Sequence, residues 1–125
     1  MTKVRIGIVG GGYMGKAHAV AYAAVGSVFD TKLRPVLEMV CATSEASAER
    51  YKSAFGFRRA TSDWQTLVSD PDVDAIVIAS PQETHRAIVE AAFALGKPVF
   101  CEKPLGATLE DSRAMVAAAE ASGAI

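Results

Sequence analysis

Short, largely apolar runs alternate with alanine-rich stretches of helical spacing along the whole chain. The runs at 4–9, 36–42, 75–79 and 99–101 are nearly continuous in apolar character, as expected of strands covered on both faces. A weaker strand is expected near 58–60, where the pattern is brief and charged. Between them the spacing predicts helices over 16–25 and 45–55, the second stopped by Gly56. Ser62 with Gln65 predicts a cap for a shorter helix that the turn Asp70-Pro71-Asp72 ends. Ser80-Pro81-Gln82-Glu83 is expected to be an N-cap, a first-turn proline and a capping-box acid. Ile88, Val89, Ala92 and Leu95 then form one stripe, and Gly96 stops that helix. Thr108 opens a last helix that Gly123 closes. The segment 26–35 is longer and more polar than a minimal link and is expected to be a surface insertion.

The order β-α-β-α-β-α-β-α-β-α predicts an α/β class: a doubly wound parallel sheet of about five strands, in three α/β/α layers. The last helix ends at Gly123, two residues before the chain stops, where such folds add a sixth strand. That ending reads as a cut rather than a natural terminus.

Composition narrows the function. Thirteen basic residues against 14 acidic ones exclude a dedicated nucleic-acid or polybasic membrane surface. Half of the 125 residues are hydrophobic, enough for a core without metal or disulfide staples. Cys41 and Cys101 lie in apolar runs and are expected to be buried, reduced thiols. With two histidines, neither at ligand spacing from a cysteine, no metal site is expected. No secretory signal or run of ~18 apolar residues is present, so the default location is the cytoplasm.

The strongest local chemistry follows the first strand. Gly10-Gly11-Gly12-Tyr13-Met14-Gly15 is GxGxxG between a strand and a helix. Gly10 permits the turn, Gly12 lets main chain approach a pyrophosphate, and Gly15 lets helix and strand pack closely. Amides at the helix start, aided by the dipole, bind the anion. A Walker-type loop fails, because no Gly-Lys-Ser/Thr follows. NAD selectivity needs an acid at the end of the second strand. Glu38 lies inside that strand and is expected to be structural; the strand ends at Ala42-Thr43-Ser44, whose small hydroxyls leave room for a 2′-phosphate. No Arg or Lys is adjacent. The balance tips slightly to NADP, with NAD left open.

Three segments together resemble the glucose–fructose oxidoreductase/inositol dehydrogenase group, often called the Gfo/Idh/MocA family. The first is the stretch 6–15 followed by Ala17-His18. The second is Ala79-Ser80-Pro81-Gln82-Glu83-Thr84-His85, similar to the family's Thr/Ser-Pro-Asn-x-x-His turn, with Gln82 where Asn is usual. The third is Gly96-Lys97-Pro98-Val99-Phe100-Cys101-Glu102-Lys103-Pro104-Leu105, similar to its Gly-Lys-His-Val-x-x-Glu-Lys-Pro segment. The resemblance implies a nicotinamide-dependent oxidoreductase acting on a sugar, inositol or related alcohol, or the matching carbonyl, by hydride transfer. It implies that Ser80 and Pro81 line the cofactor, that His85 helps hold their loop, and that Glu102, Lys103 and Pro104 stand at the nicotinamide end. Lys103 is the candidate catalytic residue, reaching the substrate hydroxyl.

The candidate cofactor contacts are therefore Gly10, Gly12, Tyr13, Met14, Gly15, Thr43, Ser44, Ala79, Ser80, Pro81, His85, Glu102, Lys103 and Pro104. The family's C-terminal substrate domain, with its catalytic Asp and His, is absent from this chain, so the piece alone is expected to be inactive. Full-length family members usually form homo-oligomers through that domain. The competing reading is a stand-alone nucleotide-binding or sensor module without turnover. An epimerase is disfavoured, since Tyr51 has Phe55 rather than lysine four residues on.

Overall fold

A computed structural model describes all residues 1–125. Five strands, β1 (Thr2–Val9), β2 (Leu33–Cys41), β3 (Arg59–Thr61), β4 (Ala75–Ile78) and β5 (Val99–Cys101), form one sheet in the order β3-β2-β1-β4-β5. All pairs are parallel. The helices are α1 (Tyr13–Val28), α2 (Glu45–Phe55), α3 (Trp64–Ser69), α4 (His85–Ala94) and α5 (Leu109–Ser122).

Alternate residues of the strands feed two cores. Ile6, Ile8, Val40 and Val77 face α1 and α2, meeting Ala19, Tyr22, Tyr51 and Phe55. Val9, Met39, Ile76 and Ile78 face α3, α4 and α5, meeting Leu67, Ile88, Val89 and Met115. Each fully buried aliphatic side chain contributes about 2 kcal/mol. Gly7 makes the second core possible, because a Cβ there would come within 2.7 Å of Leu67 and 2.8 Å of Val73. The chain crosses from β3 to β4 on the far side of β1, so strand order reverses between β1 and β4. Ligands of open α/β sheets bind beyond the carboxyl ends of strands at such a point.

Ion pairs pin the opposite, amino-terminal edge. Arg59 bonds Asp70 at 2.6 and 2.9 Å. The Lys97 ammonium donates to the carbonyls of Val68 and Asp70 at the end of α3. Glu38 is buried and held by Arg58 and Arg59. It sits where the β1/β2 register slips, Ile6 pairing Leu37 and Gly7 pairing Met39. The structural reading of Glu38 therefore stands.

Four local expectations are corrected. The segment 26–35 is no insertion: α1 runs to Val28 and β2 starts at Leu33. Gly26 costs a helix only about 1 kcal/mol, and Pro35 is tolerated because β3 pairs only with Met39–Cys41, leaving that stretch of β2 an edge. Asp63, not Ser62, caps α3, accepting from the Gln65 amide at 2.9 Å and the Thr66 hydroxyl at 3.0 Å. Ser80 does not cap a helix amide; its hydroxyl meets that of Thr84 at 2.7 Å. A single 3-10 turn (Gln82–Thr84) precedes α4, and Phe93 rather than the 55% exposed Leu95 completes the buried stripe. Thr108 and Gly123 end α5 as expected.

Candidate functional site

The glycine turn has the geometry its residues suggest. Gly10 adopts φ +111°, and a Cβ there would stand 2.6–2.7 Å from the main chain of Ala79 and Ser80. A Cβ on Gly15 would strike the Gly10 carbonyl oxygen. Gly12 is the N-cap of α1 with extended backbone, and its missing Cβ points into open space. No acidic residue stands in the first turn of α1, so its unpaired amides are available to an anion. Tyr13 and Met14 open the helix with exposed side chains and can serve an anion through main chain.

The turn opens onto a cavity of about 620 Å³ at the carboxyl ends of β1, β2 and β4. Of the expected residues, Gly10, Gly12, Thr43, Ala79, Ser80 and Pro81 line it. Ser44 does not, since its hydroxyl caps α2 by accepting from the Ser47 amide. Reading the sequence missed Ser47, Tyr51, Ser62, Trp64 and Thr84 in the wall. Trp64 carried a signal, being the one tryptophan of the chain, placed just after a strand. Arg50 donates to the Ser47 hydroxyl at 3.0 Å, which brings a cation one hydrogen bond behind the wall. No residue of the lining is charged at neutral pH.

His85, Glu102, Lys103 and Pro104 lie beyond this cavity, beside it at the β4–β5 end. The buried His85 ring spans two loops. Its Nε2 faces the Ser80 carbonyl at 2.8 Å, and Nδ1 faces the carbonyls of Leu105 and Pro104 at 2.9 and 3.1 Å. A neutral ring has one N–H and serves one loop; a second proton serves both. The Glu102 amide continues the sheet by donating to Ile78 at 2.9 Å. Its carboxylate meets His18 Nε2 at 2.8 Å and accepts from the Lys103 amide at 3.2 Å. The His18 bond, before all, holds that carboxyl below the usual range. Lys103 is exposed on the surface of its loop. Burial pushes the thiols of Cys41 and Cys101 up to about 11, which leaves them poor nucleophiles at neutral pH. No three His, Cys, Asp or Glu side chains gather as a metal site, and no helix is long and apolar enough to cross a membrane.

A glycine cradle, an uncovered helix start and an uncharged cleft at the strand reversal define a dinucleotide-binding Rossmann domain. Residues 4–125 match the family model GFO_IDH_MocA, described as an oxidoreductase family with an NAD-binding Rossmann fold. The chain belongs to that family. It is 40% identical over 116 residues to levoglucosan dehydrogenase of Pseudarthrobacter phenanthrenivorans, covering 92% of this chain and 30% of the relative. It is 39% identical over 120 residues to inositol 2-dehydrogenase of Acidothermus cellulolyticus, covering 96% and 33%. A solved levoglucosan dehydrogenase in complex with NADH superposes with a TM-score of 0.96 at 38% identity, over 99% of this chain and 34% of that one. The chain thus spans about a third of the length of these relatives.

Proposed function

We propose that this chain is the cofactor-binding part of a nicotinamide-dependent oxidoreductase of the sugar and inositol dehydrogenase type, acting on a polyol or sugar alcohol or the matching carbonyl. The observation that carries the proposal is Gly12, whose absent Cβ leaves bare main chain facing the cavity at the start of α1. The bound nicotinamide supplies or accepts the hydride. The chain's own residues bind and orient. Amides of Tyr13, Met14 and Gly15 take the pyrophosphate, with Gly10 and Gly15 fixing the turn. Ala79, Ser80 and Pro81 line the way to the nicotinamide. His85 holds their loop to that of Pro104. Lys103, at the carboxyl edge of the sheet, stabilises negative charge on the substrate oxygen or relays its proton. The remaining acid–base groups and the substrate surface belong to a further domain, so this chain alone is expected to turn over neither sugar nor inositol.

For the adenosine end we propose that NADPH binds at least as well as NADH. The only acid of β2, Glu38, is engaged by Arg58 and Arg59. Thr43 and Ser47 offer hydroxyls, with Arg50 behind Ser47. The levoglucosan dehydrogenase structure holds NADH, so the comparison is a direct one.

Calorimetric titration with NADH and NADPH tests both statements. Wild type is expected to bind at least one, and Gly12→Val to bind neither appreciably, since a branched side chain fills the phosphate position. Equal binding by both proteins removes the glycine-turn assignment. Clearly tighter NADH binding reverses the cofactor preference.

A further inference from the structure

His18 and Glu102 join two segments that the sheet keeps apart. His18 lies on α1, just past the glycine turn, and Glu102 follows β5, two strands away from β1. Their side chains are 16% and 15% exposed, with Nε2 and Oε1 2.8 Å apart. Phe100 stands edge-on to the imidazole at 5.2 Å, and Tyr22 stacks on it at 6.4 Å. The aromatic neighbours shield the bond from water, where charge-assisted hydrogen bonds are strongest. The second carboxylate oxygen of Glu102 accepts the Lys103 amide. The imidazole is thereby connected, through one carboxylate, to the main chain of Lys103.

Stability alone is a poor reason for this arrangement. A part-buried hydrogen-bonded carboxylate is often no more stabilising than apolar residues of the same volume, and α1 is already fastened to the sheet by Ala19 and Tyr22. In the segment after β5, Lys103, Pro104 and Leu105 are all exposed; His85 faces the carbonyls of Pro104 and Leu105, and Glu102 alone faces the Lys103 amide. Neither His18 nor Glu102 lines the main cavity. Both stand toward β4 and β5, the half that takes the second mononucleotide of a dinucleotide.

We propose that His18 is a positioning residue: through Glu102 it fixes the Lys103 segment against α1 and so sets the affinity for the nicotinamide half of the cofactor. This rests on the dinucleotide reading above.

The test compares NADH with ADP-ribose, which lacks the nicotinamide, by calorimetry on the chain and its variants (NADPH with 2′-phospho-ADP-ribose where the phosphorylated cofactor binds better). His18→Ala is expected to weaken NADH about tenfold while ADP-ribose stays within about twofold, the loss of one charge-assisted hydrogen bond at one end only. His18→Gln, which keeps an N–H donor, recovers most of the loss. Glu102→Gln shows the same split and carries the test if His18→Ala melts early by circular dichroism. Equal losses for the two ligands would assign His18 a general structural role and overturn the proposal, as would no loss for either. If wild type binds neither ligand, the cofactor reading falls and this proposal with it. If wild type binds both and the variants leave the ratio unchanged, the positioning role alone falls.

Discussion

The ring of Tyr51 lies against Gly11 so closely that a Cβ on the glycine would fall on the ring's Cδ2 and Cε2 edge. The Lys16 ammonium stands over the same ring, 5.4 Å from its centroid. The glycine turn, α1 and α2 thus meet at one aromatic plate that also walls the cavity.

This contact predicts a coupled pair of substitutions. Gly11→Ala forces the phenol aside and is expected to cost about 2 kcal/mol. Its φ lies outside the left-handed region, so backbone strain adds nothing. Tyr51→Ala removes the obstacle, and the double variant should be clearly more stable than the sum of the single losses implies. Urea unfolding of the four proteins measures the coupling; strictly additive losses would show that the ring does not rest on Gly11.

Gly10 and Gly12 should separate stability from binding. Gly10→Ala meets both a positive φ and the main chain of Ala79 and Ser80, and is expected to lose about 3 kcal/mol. Gly12→Ala meets nothing. Its stability should change by about 1 kcal/mol or less, while dinucleotide affinity falls. Melting curves paired with titration distinguish the two; a Gly12→Ala protein that unfolds as readily as Gly10→Ala would contradict the open position of Gly12.

Acid sensitivity should centre on Asp74 and Asp70. Asp74 accepts from the Arg5 amide at 2.8 Å and from its guanidinium at 2.8 and 3.0 Å. Arg5 holds the Asp74 carboxyl below its ordinary value, and Arg59 does the same for Asp70. A carboxyl whose folded value is depressed stabilises the fold above its unfolded value, about 3.9, and that contribution disappears as pH falls through the folded value. Stability should therefore be level near neutrality and decline below about pH 4. The Arg5 and Asp74 side chains are a third or more exposed, so Asp74→Asn should lose only about 1 kcal/mol at neutral pH. Its acid limb should be shallower; an unchanged limb would place the sensitive carboxyl elsewhere.

Local chemistry was legible where one residue decides it. The alternation of strands and helices, the glycine turn, the cap Thr108 and the stops Gly56 and Gly123 all follow from short-range rules and stand in the structure, whereas Ser44, read as a cofactor contact, is spent on capping α2. Asp63 against Ser62 was a contest between neighbouring acceptors, settled by a one-residue shift in where α3 begins. In the segment 26–35 the glycine and proline signal a loop locally, while pairing of Thr2 with Leu33 extends β2. Tyr51 on Gly11 and His18 on Glu102 were beyond a linear reading. Those contacts span 40 and 84 positions and depend on which helix face turns toward which strand.

Every formal charge stands off the cavity wall, while Arg5, Asp74, Arg59 and Asp70 gather at the far rim of the sheet. The pyrophosphate of a bound dinucleotide is therefore met by peptide dipoles frozen in place rather than by mobile cations. Dipoles reach only a short way and hold no counterion cloud to release, so capture should proceed with little long-range steering and change little with added salt.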